Sequence, residues 1–328
     1  MLKIFLSILL FNILTSCSNN SLQELPEWYL NSSQNDLSRL YGTGYGTDLN
    51  SAEKDALNNL AQKIIVNISS SMEILKQERT FNQTSNFSES SKQAISSEVE
   101  KISFNNYKNE QSSSSGKYIY SLVSIDRDEL SQTYIDKINN ANSKIDALYT
   151  ELQKKSLIEQ KADFLQIDKI IALTQKDLII LRAISQEQAL IAPHLKKYNN
   201  LNSNHQIVNN KLSIYFETDD LSQQITTVLS SKVTRNNIKV NKTRSFAKDE
   251  AVFKITSQQN TQYLYGSYWI KNESTLSVIS SNNKVIKLFN FTTKGSSVIS
   301  YAEAENAMSQ NFAKQIKEKD FFNLIGFY

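Results

Sequence analysis

The 328-residue chain contains one cysteine, two prolines, seven glycines and two histidines. A single cysteine cannot form an internal disulfide, so the fold must be stabilised by packing even if the protein is exported. His194 and His205 lack the short ligand spacing of a zinc site, and no Gly-x-Ser-x-Gly elbow is present. We therefore predict no metal, no cofactor, no catalytic residues and no enzymatic activity.

Charge of one sign is not concentrated anywhere in the chain. The 36 basic and 33 acidic residues give a net charge of +3, and there is no block of like charge. A nucleic-acid-binding protein would carry a basic stripe, so nucleic acid is not an expected partner. After residue 17, no apolar run is long enough to span a bilayer. The remaining chain is long enough for two domains with their own cores.

The first 17 residues form a distinct segment. Lys3 precedes the apolar run Ile4–Leu14, which is typical of a signal peptide over residues 1–16. The closing Leu-Thr-Ser-Cys resembles the lipobox of bacterial lipoproteins, which implies cleavage before Cys17 and attachment of lipid to Cys17. An ordinary signal peptide with a chance cysteine and a membrane-buried start are the alternatives. By analogy with known lipoproteins, in which Asp at this position indicates retention in the inner membrane, Ser18 favours the outer membrane, with residues 17–24 as a tether.

Residues 25–126 predict a small α+β domain. Pro26 favours an extended conformation before it, and we expect Trp28 and Tyr29 to lie on a strand or an extended segment. Leu40–Gly46 is predicted as a strand whose glycines allow close packing. From Asn50 to Met72, apolar residues recur every four positions, which indicates a helix. The glycines do not have the spacing of a dinucleotide-binding loop.

A hairpin is expected after this helix. Residues 80–94 are polar and predict a mobile loop or a frayed helix end. Val99–Asn109 and Lys117–Ile125 have strand composition, and the Ser/Gly-rich stretch Glu110–Gly116 between them predicts a solvated turn rather than a phosphate-binding loop.

The Leu-Pro-Glu-Trp-Tyr and Tyr-Gly-Thr-Gly-Tyr-Gly motifs, followed by the helix and the hairpin, resemble the LPP20-type lipoprotein family. The resemblance covers about residues 24–137. It is carried by Pro26, Trp28, Tyr29, Tyr41, Gly42, Gly44 and Gly46. The family is similar to the amino-terminal domain of the flagellar proteins FlgP and FlgT. The resemblance implies an α+β domain on an outer-membrane lipoprotein without catalytic residues.

Residues 127–197 are predicted to be helical. Apolar residues from Leu130 to Leu152 recur in a heptad-like pattern, and a broader apolar face follows. A helical hairpin that turns near Lys154–Lys161 is favoured over one long dimerising helix, because the second half is too apolar to face water. Pro193 is predicted to end the second helix.

The Asn-rich residues 198–211 predict a linker, and residues 212–328 predict a second α+β domain. Its expected order is β-α-β-β-β-β-β-α, with helices on one face of a mostly antiparallel sheet. Strands are expected at 251–257 and 262–269 among others. Ser300-Tyr301-Ala302-Glu303 is a capping box that opens the last helix. The apolar tail Phe321–Tyr328 is expected to dock on its own domain, with a partner surface as the alternative.

The sequence leaves three functions open. The absent catalytic set, the lipobox and the heptad pattern favour a non-catalytic, lipid-anchored envelope protein, facing the periplasm, that acts through protein contacts or self-association, possibly near the flagellum. An enzyme or enzyme activator acting on peptidoglycan or lipid is the alternative, and a surface-exposed adhesin is a further one. The expected partners are the membrane, through Cys17, and envelope proteins.

Overall fold

The structure is a computed structural model that describes residues 24–31, 36, 38–77, 95, 97, 99, 104, 106–185, 188–317 and 322. Cys17, the signal peptide and the predicted loop at 80–94 lie outside the described residues. The chain forms two compact units, one from residues 1–136 with 176–188 and one from residues 137–175 with 189–328. The predicted α+β class is confirmed.

The first unit contains a three-stranded antiparallel sheet. Its strands are β1 (Arg39–Gly46), β2 (Lys108–Ser115) and β3 (Tyr118–Asp126), in the order β1-β3-β2. The serine run predicted as a turn is instead strand β2, and the turn is the two-residue Gly116-Lys117. Gly116 has a φ of 67°, which lets a two-residue connection follow the twist of the sheet.

Among the described residues of the first unit, helices α1 (Glu27–Leu30) and α2 (Leu49–Gln77) accompany this sheet. Helix α1 replaces the strand or extended segment predicted for Trp28 and Tyr29, because the amides of Tyr29 and Leu30 bond back to the Pro26 carbonyl. Helix α2 buries the four-residue repeat that the sequence predicted. Its fully buried members include Ala52, Ala56, Leu60, Ile64 and Ile68.

A long helical segment follows β3. Helices α3 (Arg127–Leu152) and α4 (Leu157–Ser185) are separated by a reversal at residues 153–156. Next to this reversal, the Tyr149 and Phe164 rings lie 6.3 Å apart, so α4 folds back along α3. The buried side chains of α3 lie on the face that the heptad-like pattern predicted, and they include Tyr134, Ile138, Ile145 and Leu152.

The predicted linker at 198–211 is wrong. This stretch is the second part of helix α5 (Ala192–Lys211), and Pro193 lies in the first turn of α5 rather than ending α4. The asparagines that suggested a linker mostly face away from the core. A buried stripe every three or four residues was present in the sequence, and it consists of Leu195, Tyr198, Leu201, His205 and Val208.

The carboxy-terminal domain contains a five-stranded mixed sheet. The strands are β4 (Ser213–Thr218), β5 (Lys239–Asn241), β6 (Glu250–Leu264), β7 (Ser267–Ile279) and β8 (Val285–Ser297), in the order β5-β4-β6-β7-β8. β4 pairs in parallel with β5 and β6, whereas the longer ladders of β6, β7 and β8 are antiparallel. One strand fewer than predicted is present, because the predicted strand 262–269 is divided between β6 and β7.

Helices α6 (Gln223–Arg235) and α7 (Tyr301–Lys317) cover one face of this sheet. The predicted capping contact is present, since the Glu303 amide donates to Ser300 Oγ at 3.2 Å. Leu221 is 40% exposed, because it precedes α6 in a short 3-10 turn. Phe322 of the tail lies in the core of this domain, while the other tail residues lie outside the described part.

Candidate functional site

The described part of the chain has no cluster of three or more residues suited to hold a metal. Within that part, no helix is both long and apolar enough to cross a membrane.

His194 lies beside Asn142, 2.9 Å from its Nδ2, and burial lowers the pKa of His194. The second histidine, His205, lies in a different side-chain environment.

His205 belongs to a buried polar chain in the helical segment. Its Nδ1 lies 2.8 Å from Asp168 Oδ2, and its Nε2 lies 2.8 Å from Lys161 Nζ. The Phe164 ring stacks on the imidazole at 5.1 Å. An ammonium group can only donate, so Nε2 accepts from Lys161 and Nδ1–H donates to Asp168. Both ring nitrogens are thus engaged in packing α4 against α5, and neither is open to a substrate.

A second group of conspicuous side chains lies in the first unit. Five aromatic residues from three separate segments meet there: Trp28, Tyr29, Tyr45, Tyr118 and Tyr120. We call this group the aromatic cluster. It combines two residues of α1 with the end of β1 and the start of β3, so it forms only when the sheet and α1 are both in place.

The rings of the aromatic cluster contact each other in sequence. Tyr29 meets Tyr120 edge to face at 4.8 Å, and Trp28 lies 6.2 Å from Tyr29. Tyr45 contacts Tyr118 at 5.6 Å and Tyr120 at 6.2 Å. Tyr120 is buried, whereas Tyr45 is 50% exposed. The cluster therefore has a buried base and an accessible aromatic edge.

Charges surround this aromatic edge. Lys117 Nζ lies 5.0 Å from the centre of the Tyr118 ring, within the range of a cation–π contact. Burial, together with the nearby charge of Asp55, raises the pKa of Tyr29. Tyr29 therefore stays a neutral phenol at physiological pH. The cluster offers aromatic faces and hydroxyl groups, which suit contacts with a protein, rather than an acid or base for catalysis.

The three motif glycines do not form part of this surface. They alternate along β1 and face α2, so that the helix backbone lies directly on the strand. A Cβ added to Gly44 would meet the Ala56 nitrogen at 2.1 Å, and one added to Gly42 would meet the Ala56 oxygen at 2.1 Å. Gly46 is similarly close to Ala52, at 2.6 Å from its nitrogen. Their role is helix–sheet packing.

Close packing brings polar side chains of α2 to the outer edge of β1. Asp55 accepts from the Tyr45 amide at 3.0 Å, and Asn59 donates to the Thr43 carbonyl at 2.8 Å. Lys63 donates to the Tyr41 carbonyl at 2.9 Å. We call these three contacts the edge clamp. Burial lowers the pKa of Lys63. The clamp occupies backbone groups that an edge strand otherwise offers to another chain.

Tyr41, the remaining aromatic residue of the motif, lies apart from the aromatic cluster. Its hydroxyl donates to Asp36 Oδ2 at 3.3 Å, next to the point where the chain enters β1. Burial and the charge of Asp36 raise the pKa of Tyr41. The structure thus brings Trp28 and Tyr29 together but separates them from Tyr41 and the glycines.

Tyr45, Tyr118 and Tyr120 are not among the site residues predicted from the sequence. Tyr45 was part of the glycine motif, and its alternation with the glycines already indicated that it faces away from α2. Tyr118 and Tyr120 could not be linked to Tyr45, because the register of β1 on β3 pairs residues more than 70 positions apart.

The comparisons with known proteins agree with the predicted resemblance. Residues 26–126 match the LPP20 lipoprotein family. The resemblance predicted from the Trp-Tyr and glycine motifs is thereby confirmed for this part of the chain. The aromatic cluster and the edge clamp both lie in the LPP20 region. The match supports a lipoprotein of the cell envelope and assigns no finer function. No curated protein matches the chain.

Solved structures give weaker likenesses. A minor lipoprotein from Acinetobacter baumannii is 14% identical with a TM-score of 0.28, covering 34% of this chain and 91% of its own. A secreted protein from Helicobacter pylori is 16% identical with a TM-score of 0.41, covering 85% of this chain and 97% of its own. A lipoprotein from Neisseria meningitidis is 14% identical with a TM-score of 0.24, covering 33% and 99%. At these values, the likenesses carry no argument about function.

Proposed function

We propose that this chain is a non-catalytic lipoprotein of the outer membrane, anchored through lipid on Cys17 and facing the periplasm, that binds an envelope protein through the aromatic cluster. The observation that carries this proposal is the convergence of Trp28, Tyr29 and Tyr45 from two motifs onto one accessible edge. Tyrosine and tryptophan are enriched among the residues that dominate protein interfaces.

The surroundings of the aromatic cluster support a contact with protein. Leu25 and Leu30, beside Trp28 and Tyr29, are 38% and 64% exposed. Leu49, which follows β1, is also exposed. An aromatic centre with an apolar and polar rim is the usual composition of a protein-binding patch. The neighbouring backbone edge of β1 is occupied by the edge clamp, so the side chains of the cluster are the available contact groups.

Site-specific photo-crosslinking in intact cells tests this proposal. A photoreactive amino acid replaces Tyr45, and the matched control replaces Val66, which is 65% exposed on α2 of the same domain. We expect an adduct with an envelope protein at position 45 and none at position 66. Equal adducts at both positions, or none at position 45, would rule out the aromatic cluster as the binding surface. The identity of the captured protein decides whether the flagellum is involved.

The anchor is tested separately by labelling cells with a labelled fatty acid. The unchanged protein should incorporate the label and a Cys17→Ser variant should not, because Cys17 is the one cysteine of the chain. Equal labelling of both would contradict a lipid on Cys17, whereas the fractionation of the variant decides nothing, since its uncleaved signal peptide would also hold it in the membrane. Separating inner from outer membranes then tests the predicted location of the unchanged protein.

A further inference from the structure

A second accessible apolar surface lies at the far end of the β6–β7 hairpin, in the carboxy-terminal domain. Tyr265 and Gly266 form its turn with φ values of 52° and 75°, and Leu264 pairs with Ser267 on either side. Two successive residues with positive φ give a turn whose twist matches that of the flanking strands. The Tyr265 side chain is fully exposed.

Other apolar side chains are exposed at the same end. Leu264 and Trp269 are each 46% exposed. Val298 and Ile299 follow β8 directly and are more than 70% exposed. They lie at this end of the sheet, because the preceding residue of β8 pairs with Tyr268 of β7. Exposed aromatic and branched residues grouped at one end of a domain mark an interaction site.

A cavity of about 330 Å³ opens on this surface. It is lined mainly by Leu264, Tyr265, Trp269, Asn260, Lys271 and Lys294. Its volume falls at the lower end of the range for small-ligand pockets, which are mostly apolar with a few polar groups. Its lining combines aromatic and aliphatic side chains with two lysines.

The charge of this cavity is of one sign. Lys271 and Lys294 are directly opposite each other on β7 and β8. Like charges at such a position repel, and an anion between them relieves the repulsion. Glu273 pairs with Lys271 from the next position along the same face and so compensates part of this charge. Among the described residues, none of those lining the cavity is acidic.

The geometry points to a binding site for an anionic phospholipid at a membrane surface. Trp269, Leu264 and Tyr265 would lie among the glycerol and upper acyl groups, where tryptophan and tyrosine concentrate in membrane proteins. Lys271 and Lys294 would contact the phosphate, as lysines near an anionic surface do. This surface is distinct from the aromatic cluster, so the inference does not depend on the protein contact proposed above.

The size and shape of the surface favour a membrane over a protein as the occupant. A stable protein interface buries about 800 Å² on each partner and needs 20 or more residues. A hairpin tip with a few aromatic side chains and two lysines is smaller than that, but it is sufficient for shallow insertion between lipid headgroups.

The experiment uses the full chain purified from membranes and placed in lipid vesicles. The chain has two tryptophans, so a Trp28→Phe background leaves Trp269 as the only indole reporter. In vesicles with phosphatidylglycerol, we expect Trp269 emission to shift to shorter wavelength and brominated acyl chains to quench it roughly twofold. In pure phosphatidylcholine vesicles, both effects should be much weaker. Unchanged emission in both vesicle types would overturn the proposal.

Variants separate the parts of the proposed contact. Lys271→Gln and Lys294→Gln should each reduce the ratio of quenched to unquenched Trp269 roughly fivefold in anionic vesicles. Lys239→Gln with Lys248→Gln is the matched control, because these exposed lysines lie before β6, at the end opposite to the tip. Equal losses in the control would show that only the overall charge matters and would contradict a defined site.

A substitution at the turn tests the apolar part without threatening the fold. Tyr265→Asn removes a fully exposed ring, and asparagine tolerates a φ of 52°. Circular dichroism should be unchanged, while the quenching of Trp269 should fall. Unaltered quenching would exclude the hairpin tip from the contact. Capture of an envelope protein by the tip, without any response to vesicles, would assign this surface to a protein partner and overturn the proposal.

Discussion

In both sheets, glycine on an edge strand lets a helix pack at backbone contact distance. The two sheets differ in the number of these glycines. In the LPP20 region, β1 places Gly42, Gly44 and Gly46 under α2. In the carboxy-terminal domain, β8 places Gly295 under α7, where an added Cβ would meet the Ala304 oxygen at 2.1 Å. In both cases an edge strand with glycine meets a helix with alanine at backbone contact distance.

The difference lies in how far helix and strand run together. Two residues of a strand advance about 6.7 Å, and four residues of a helix advance about 6 Å. Glycines at every second position of β1 therefore match small residues at every fourth position of α2. Around Gly295, the corresponding positions are Thr293 and Ser297, so α7 can touch β8 closely at one point only.

The extent of contact also decides how well the strand edge is covered. The edge clamp supplies three side chains from α2 to β1. In the described part of α7, Asn311 gives one comparable contact, to the Lys294 carbonyl at 3.3 Å. A longer glycine repeat thus yields both a tighter helix and a better protected edge, which suits a domain that must expose aromatic side chains without pairing through its backbone.

The largest expected effect is that of Gly44→Ala. The added Cβ would lie 2.1 Å from the Ala56 nitrogen and 2.6 Å from the Ala52 oxygen, and both are backbone atoms. The contacts at Gly42 and Gly46 prevent α2 from moving aside, so we expect a loss of about 3 kcal/mol or more in the free energy of unfolding. Urea denaturation followed by circular dichroism measures it.

The control for this substitution is Gly266→Asn. An added Cβ there meets nothing within 4 Å, and asparagine accepts its φ of 75°. The free energy of unfolding should change little. If Gly44→Ala were as harmless as this control, the close packing of α2 on β1 would be incorrect.

The second expected effect concerns two carboxylates, one in each domain, that accept hydrogen bonds from the amides of a nearby chain segment. Glu250 is buried and accepts from the amides of Ser245 and Phe246 and from Asn241. Burial raises the pKa of Glu250, but these hydrogen bonds outweigh it and leave the pKa below its ordinary value. At the start of β1, Asp36 likewise accepts from the amides of Ser38 and Arg39, but its side chain is exposed.

Because its pKa is lower in the folded state, Glu250 contributes stability above its ordinary pKa of 4.5 and loses it as the pH falls further. Glu250→Gln should therefore cost about 2 kcal/mol at pH 7. The difference from the unchanged protein should shrink below pH 4.5. Asp36→Asn should have a smaller effect at pH 7. A difference for Glu250→Gln that does not depend on pH would contradict this account.

A third substitution, Gly295→Ala, tests whether a steric clash is relieved more easily where one glycine contacts the helix than where three do. The new Cβ would meet the backbone of Ala304, near the start of α7. Since no second glycine holds this helix on β8, α7 can tilt away, and we expect a loss of about 1–2 kcal/mol. A loss as large as that of Gly44→Ala would show that the glycine repeat adds no rigidity.

Much of this organisation was accessible from the sequence. The four-residue repeat of α2, the alternating glycines of β1 and the capping box before α7 are local patterns, and each corresponds to the element observed. The wrong predictions were those that rested on residue composition rather than on the periodicity of apolar residues. The serines of β2 and the asparagines of α5 were interpreted as loops, although the strand pairing and the buried stripe override their low propensities.

The candidate site could be predicted only in part. Trp28 and Tyr29 were selected, because they lie in one motif. Tyr118 and Tyr120 come from a strand far along the chain, and only the register of β1 on β3 brings them to Tyr45. The edge clamp was also missed, since polar residues four positions apart on a helix usually just face solvent. Their match to alternate residues of β1 depends on the distance that the glycines set.

The smallest expected effects come from removing the side chains that cover the edge strands β1 and β8. Asn59→Ala leaves the Thr43 carbonyl without its side-chain donor, at an expected cost of about 1 kcal/mol. Both contacts are exposed, but the contact that Asn311→Ala removes is longer, at 3.3 Å to the Lys294 carbonyl against 2.8 Å for Asn59, and its loss should cost less. The distinguishing measurement is sedimentation velocity at increasing concentration. Asn59→Ala should promote association through the uncovered edge of β1, because a free edge strand pairs with another chain. Equal association of both variants would mean that the edge clamp protects β1 no better than Asn311 protects β8.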